Sequence, residues 1–166
     1  MVWMDHKIVN DDLDTHESYK AVLVIVDEAT NFIMVYPAPH KTADEVTKAL
    51  RHFLGDIKAK LIRSDNALEF EKACKATESV WEHSQANVSP TNGFIERWVR
   101  QYKEGTRCVL YQSGLAEQWW REASQTWAHL HKCTQKYKDG RTAWELRFGV
   151  TYSEELLPFG CCVEYL

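Results

Sequence analysis

The sequence lacks any apolar run long enough to cross a lipid bilayer. A membrane-spanning helix needs about 18 consecutive apolar residues, whereas the longest run in this chain, residues 21–26, has the length of a β-strand. The first residues also lack the basic stretch followed by an apolar stretch that marks a secretory signal peptide. We therefore expect an intracellular protein with no membrane partner.

Cysteines are few, and their spacing is not that of a disulfide framework. The chain has five of them, an odd number, with no Cys-x-x-Cys pair, which is typical of reduced thiols inside a cell. His129, His131 and Cys133 lie near one another in the sequence and are possible zinc ligands by residue type. Alternate positions of a helix point to different faces, however, so no zinc site is expected there.

Positive charge is not in excess either. The net charge is −4, which excludes a protein whose whole surface attracts nucleic acid. If the chain binds nucleic acid, it must use a local basic patch helped by bound cations. The 166 residues and the apolar fraction of 45% are those of one globular domain, and no internal repeat or low-complexity tract is present.

Apolar periodicity predicts an α/β domain with a mixed sheet. Residues 2–9, 19–30 and 31–39 are rich in Val and Ile and predict three strands. The short turn between the second and third predicts an antiparallel hairpin. A fourth strand is expected over residues 59–65, and residues 73–87 fit either a short helix or a strand, followed by a loop.

Three longer segments have helical periodicity. The first begins after Thr42, a suitable N-cap, and ends at Gly55. The second and third cover residues 94–110 and 116–133. One stripe of the third is predicted to pack in the core, and it consists of Leu115, Trp119, Ala123, Trp127 and Leu130.

Carboxylates at the ends of these elements are the candidates for chemistry. In phosphodiester chemistry the attacking and leaving oxygens are both negative, and two Mg²⁺ ions held by carboxylates from different elements neutralise them. Asp65 ends a predicted strand, although an Asp before an Asn also forms turns. Asp5 lies inside the first strand, where an unpaired charge is costly. Asp27 ends the second strand and competes for the same role.

A fourth carboxylate, Glu96, lies where a turn rich in Pro, Asn and Gly leads into the second helix. Arg100, Lys103 and Arg107 follow on the same helix face. One interpretation is a solvated Glu–Arg pair, worth about 0.3–0.5 kcal/mol. The other is a metal ligand whose basic neighbours hold a phosphate backbone.

The order of these segments resembles the catalytic core of the integrases of retroviruses and LTR retrotransposons. The stretches that carry this resemblance are the region of Asp5, then VIVDEAT, IRSDNALEF and SPTNGFIER. The downstream stretches SGLAEQWWREA, TAWELRFG and LLPFGC resemble the tail of copia-type retrotransposon integrases. Together the stretches cover nearly all of the chain in the expected order.

The resemblance implies a ribonuclease H-like fold, with a mixed central sheet of about five strands flanked by helices. It also implies an Asp-Asp-Glu triad on Asp5, Asp65 and Glu96 that binds two Mg²⁺ or Mn²⁺ ions and joins the 3′ ends of element DNA to target DNA. Asp65 follows Asp5 by 60 positions and Glu96 follows Asp65 by 31. Retroviral relatives have a shorter first spacing, and the acidic residues 11–17 would lengthen a loop here.

The same resemblance implies the contacts with DNA. Arg100, Lys103 and Arg107 are expected to follow the DNA backbone, and residues 86–91 to form a lid that orders on DNA. Asn92 either reaches towards the active site or caps the helix. The implied partners are element DNA, target DNA and further copies of the chain, in the nucleus or in a cytoplasmic virus-like particle.

The resemblance further implies that residues 1–166 are a single core domain of a longer protein, in which about the last 50 residues are the copia-type extension. Ala67 departs from the family, which usually has a Gly that takes positive φ at this turn. Two other functions stay open: a decayed or domesticated DNA-binding domain, and a ribonuclease H-like nuclease that only hydrolyses.

Overall fold

Five strands form a mixed sheet with helices on both faces, in a computed structural model that describes residues 1–8, 19–84, 93–162 and 164. The strands are β1 (Val2–Ile8), β2 (Ala21–Asp27), β3 (Ile33–Ala38), β4 (Ile62–Ser64) and β5 (Trp81–His83). The helices are α1 (Ala43–Leu54), α2 (Leu68–Ala76), α3 (Gly93–Ser113), α4 (Trp120–Thr134) and α5 (Ala143–Phe148).

The strand order β3-β2-β1-β4-β5 places β1 in the middle of the sheet. β1 pairs antiparallel with β2 and parallel with β4, and β5 extends the parallel half. The predicted hairpin of β2 and β3 is confirmed. Pro37 lies within β3, which it can do because β3 is an edge strand.

Two apolar cores cover the two faces of the sheet. Val2 and Met4 of β1 pack against α1 and α2, whereas Trp3 packs against α3 and α4. β2 also alternates between the cores, so residues 21–26 are all buried. This double burial explains why the sequence of β2 is continuously apolar rather than alternating.

The ends of α1 follow the sequence signals. The N–H of Glu45 donates to Thr42 Oγ1, and the N–H of Thr42 donates to Glu45 Oε2, both at 3.3 Å. These reciprocal bonds form a capping box. The helix ends at Gly55, whose φ of 56° suits glycine. Residues 73–87, which the sequence left open, contain the end of α2 and the strand β5.

The predicted start of the last long helix is wrong. A 3₁₀ turn over Glu117–Trp119 precedes α4, which begins at Trp120. The tighter 3₁₀ winding rotates the side chains away from the face that α4 presents to the core. As a result Leu115 and Trp119 are 38% and 44% exposed, and Trp120 is buried instead.

No helix in the described ranges is long and apolar enough to cross a bilayer. The five cysteines are unpaired thiols, and Cys74 and Cys133 are buried.

Gly105 allows α3 and α4 to pack closely. A Cβ atom at this position would overlap the indole ring of Trp127. That ring is held in place, because it stacks on His131 at a centroid distance of 5.0 Å and lies 6.3 Å from the ring of Tyr102. The glycine is therefore required by the helix contact and not by backbone conformation.

We expect Gly105→Ala to lower the free energy of unfolding by about 1–3 kcal/mol, because the added methyl group displaces a packed indole. Inside an ordinary helix the same change stabilises by roughly 0.5–1 kcal/mol. Gly93 is the matched control in α3, since a Cβ there meets open space. The measurement is the free energy of unfolding by urea denaturation. Equal values for Gly105→Ala and Gly93→Ala would contradict the prediction.

Candidate active site

Asp5 is a half-buried carboxylate in the central strand of the sheet. Burial raises the pKa of its carboxyl to about 6, and the nearby Asp65 carboxylate raises it further. A backbone hydrogen bond at His6 and the ammonium groups of Lys41 and Lys7 oppose this rise without cancelling it. Asp5 is therefore a carboxylate whose negative charge is only partly compensated by the protein.

Asp65 lies next to Asp5 because of strand pairing. In the parallel pairing of β1 with β4, Trp3 is opposite Arg63. Continuing this register by two residues brings Asp65, the residue after β4, beside Asp5. Burial also raises the pKa of Asp65, although the residue as a whole is exposed, and Glu69 adds to the rise.

Asp65 also has the turn role that its sequence suggested. Its Oδ1 accepts a hydrogen bond from the Ala67 N–H at 3.3 Å, which lowers its pKa but does not outweigh burial. Ala67 adopts φ −85° and ψ 138°, an extended conformation open to any residue. The change from glycine to alanine therefore introduces no backbone strain here.

Two adjacent carboxylates that repel each other and are partly removed from water suit a divalent cation, which would neutralise both. In the part of the chain that the structure describes, however, no group of three or more His, Cys, Asp or Glu side chains is arranged to hold a metal ion. Asp5 and Asp65 thus fit two of the three expected ligands. Glu96 does not complete a preformed cluster with them.

Glu96 lies in the first turn of α3 and is exposed. This turn is attached to the sheet by Phe94, whose ring lies 5.5 Å from that of Trp3. Trp3 and Asp5 project from the same face of β1, because side chains alternate along a strand. The turn that carries Glu96 therefore lies on the sheet face from which Asp5 projects.

The interpretation of Glu96 as half of a surface ion pair is not supported. The salt bridges between described residues include neither Glu96 nor Arg100. Glu96, Arg100, Lys103 and Arg107 are all exposed. A helix turns by about 100° per residue. These four side chains therefore form one stripe, whose direction is rotated by about 110° about the helix axis from the centre of the buried face of α3.

Three parts of the sequence-based hypothesis lie outside the described residues. They are Asn92, the expected lid over residues 86–91 and the acidic residues 11–17.

Asp27 is bound within the turn that follows β2. Its carboxylate accepts hydrogen bonds from Thr30 Oγ1 at 2.8 Å and from the Ala29 N–H at 3.2 Å. It pairs with Val2 at the start of β1, three residues before Asp5. These contacts give it a structural role in the turn after β2.

Three neighbours of the carboxylate pair were missed by the sequence reasoning. Lys41 lowers the pKa of both Asp5 and Asp65, although its position before α1 carries no local signal. Glu69 lies four residues after Asp65, at the start of α2, and its charge could have been noticed. His6 is neutral at pH 7, because burial lowers its pKa to about 4, and its Nδ1 lies 3.6 Å from Glu69 Oε1.

We expect Asp5→Asn to stabilise the fold at pH 7. The pKa of Asp5 is raised from 3.8 to about 6 in the folded chain, so the folded state holds this proton more tightly than the unfolded state. The stability that the folded state gains from protonated Asp5 is fully present below pH 4 and is lost as the pH rises through about 6. At ~1.4 kcal/mol per pH unit, the loss is on the order of 2–3 kcal/mol.

The measurement is urea denaturation of both proteins from pH 4.5 to pH 7. The difference in stability between Asp5→Asn and wild type should grow with pH over this range, whereas Glu155→Gln, at an exposed position, should show a constant difference. A pH profile of Asp5→Asn that runs parallel to that of wild type would disprove the burial argument.

Comparison with known proteins supports the fold and indicates a relative. No known protein-family profile matches the sequence. Over 155 residues the chain is 29% identical to the Pro-Pol polyprotein of Feline foamy virus, a match that covers 89% of this chain and 13% of the polyprotein. The chain therefore spans only a small part of that relative.

Among solved structures, the chain is similar to the catalytic core domain of BIV integrase. The TM-score is 0.66 at 18% sequence identity, and the similarity covers 87% of this chain and 91% of that one. The expected five-stranded mixed sheet with flanking helices is confirmed. This chain has the ribonuclease H-like fold of an integrase catalytic core.

Proposed function

We propose that this chain is the catalytic core of an integrase, a polynucleotidyl transferase that trims the 3′ ends of element DNA and joins them to target DNA. The observation that carries the proposal is the Asp5–Asp65 pair. Two carboxylates with raised pKa values lie in β1 and directly after the neighbouring β4, in a fold shared with an integrase core. The similarity to a Pro-Pol polyprotein agrees with this function.

Asp5, Asp65 and Glu96 are the proposed ligands of two Mg²⁺ or Mn²⁺ ions. When bound, such ions would neutralise the attacking and leaving oxygens of an in-line displacement at phosphorus. Asp5 is fixed by a strand paired on both sides, and Asp65 is fixed by its turn bond to Ala67. Glu96 is exposed on a helix, so the third carboxylate must reorient to join the pair.

The exposed stripe of Arg100, Lys103 and Arg107 is the proposed DNA contact. These three residues follow Glu96 by four, seven and eleven positions and therefore lie on the same helix face as Glu96. A DNA duplex whose phosphates contact the three cations would pass next to the carboxylates. The local stripe also explains how a chain with net charge −4 could bind a polyanion. Further copies of the chain are proposed partners, in the nucleus or in a virus-like particle.

One observation favours a second candidate, a DNA-binding domain that has lost its chemistry. The described residues contain no preformed group of three metal-binding side chains. A domain that retains the Arg100, Lys103 and Arg107 stripe would still bind DNA. For an integrase, metal binding and DNA joining should depend on the same carboxylates, whereas a DNA-binding domain without chemistry should show neither. A strand-transfer assay that separates joined DNA from DNA that is only cut also tests the nuclease alternative.

We expect Mn²⁺ or Mg²⁺ to raise the melting temperature of the wild-type chain, since a ligand at 100 times its Kd adds about 2.7 kcal/mol of stability. Asp5→Asn and Asp65→Asn should lose both this stabilisation and DNA joining. Glu96→Gln should keep much of the stabilisation but lose joining, because Glu96 is not part of the preformed pair.

Glu104→Gln, also exposed on α3, is the matched control and should retain both properties. DNA joining by Asp65→Asn at the wild-type rate would refute the proposal. DNA binding without any effect of metal on stability or joining would favour the second candidate, and cut products without joined products would favour a nuclease.

We expect the basic stripe to determine the salt dependence of DNA binding. Each phosphate contact contributes about 0.9 to the slope of log K against log[salt]. Replacing Arg100, Lys103 or Arg107 with Gln should therefore lower the slope by about that amount, measured by fluorescence anisotropy between 50 and 200 mM salt. Lys48→Gln, exposed on α1 across the sheet, should leave the slope unchanged, and a uniform effect of all four changes would contradict the assignment.

A further inference from the structure

A second site candidate lies at the β3 edge of the sheet, away from the carboxylate pair. An open cavity of about 460 Å³ separates the end of α1 from α5. Phe32, just before β3, forms part of its wall, and the neighbouring Ile33 pairs with Val26 near the end of β2. Asp5 projects from β1, two strands away, towards the core formed by α3 and α4.

The cavity contains a buried lysine without a carboxylate. Lys132 is only 6% exposed, and its Nζ lies 4.9 Å from the ring centroid of Phe32. The hydrogen bonds and salt bridges of the described residues include none to Lys132. Burial lowers its pKa. Its Nζ is not among the buried atoms that lack a hydrogen-bond partner, so the ammonium group reaches the open cavity that Lys132 lines. An anionic ligand in the cavity could therefore pair with it.

Arg147 adds a second cation to the same wall. Its side chain is 7% exposed, and its Nη2 donates a hydrogen bond to the carbonyl of Phe53. The guanidinium lies 4.7 Å from the ring centroid of Phe32. The carboxylate of Asp27 is 4.0 Å away, too far for a hydrogen bond, and already accepts one from Thr30. The two cations are therefore incompletely compensated.

Aromatic surface adjoins these cations. Phe148 is 48% exposed, and its ring lies 4.4 Å from that of Trp144 and 5.5 Å from that of Phe32. The cavity volume falls within the range of about 300–1,000 Å³ that small-molecule sites occupy. Asp56 also lines the cavity and is exposed, so a polyanion would be repelled and a ligand with one negative group is favoured.

We propose that this cavity binds a small organic carboxylate, with its carboxylate group against Lys132 and Arg147 and its apolar body on Trp144 and Phe148. The ligand would supply the counter-charge that the two cations lack. This site is independent of the proposed DNA chemistry, because none of the residues that line it belongs to the carboxylate pair or to the basic stripe.

The test uses 4-fluorophenylacetate as the probe and ¹⁹F NMR titration as the measurement. The wild-type chain should bind the probe, whereas 2-(4-fluorophenyl)ethanol, which has the body without the charge, should bind at least tenfold more weakly. Lys132→Met, which keeps the aliphatic stem, should also weaken probe binding at least tenfold. Lys138→Met, at an exposed position, is the matched control and should bind like wild type.

Lys132→Met is expected to melt no earlier than wild type, since Met keeps the packed aliphatic stem and removes a charge that has no carboxylate partner among the described residues. Should it fail to fold, the wild type alone decides the question through NOEs from the probe to Trp144 and Phe148. The proposal is overturned if the probe does not bind at millimolar concentration, if the alcohol or Lys132→Met binds equally well, or if the NOEs come from other residues.

Discussion

The parallel pairing of β1 with β4 is the constraint on which the candidate active site depends. It places Asp65 beside Asp5, in the centre of a sheet that is covered on both faces. Because β1 is also held by β2 and by both apolar cores, the backbone of Asp5 is fixed in position. The repulsion between the carboxylates raises the pKa of Asp5 in the folded state, and a cation bound between them would relieve it.

The apolar cores make this arrangement tolerable. An ionised Asp5 costs the fold on the order of 2–3 kcal/mol at neutral pH, which is a large share of the stability of a typical domain. The continuously buried β2, and the interface where Gly105 admits Trp127, offset that cost on the same sheet face as Asp5. The stabilising contacts of β2 and Trp127 thus lie next to Asp5, whose ionisation lowers the stability of the fold, as expected for a functional site.

The elements with local signals were predictable from the sequence, and those set by tertiary contacts were not. Thr42 and Gly55 mark the ends of α1 through bonds within a few residues of each other. The 3₁₀ turn before Trp120 and the influence of Lys41 on both aspartates arise only when distant segments meet. For the site, the family resemblance implied that Asp5 and Asp65 act together, but only the strand order of the structure shows that they are neighbours. The sequence left open whether Glu96 is a solvated surface residue.

Each of the two candidate sites brings together two side chains of like charge, negative in one site and positive in the other. Asp5 and Asp65 are like charges brought together by strand pairing, and Lys132 and Arg147 are like charges brought together around Phe32. In each case the protein supplies too little counter-charge, so a ligand of opposite sign would stabilise the folded state by linkage. They differ in completeness: Lys132 and Arg147 already line one cavity, whereas the proposed third carboxylate, Glu96, forms no preformed group with Asp5 and Asp65. In the proposed metal site, Glu96 has still to join the pair, so the first turn of α3, which carries it, is where a conformational step would occur.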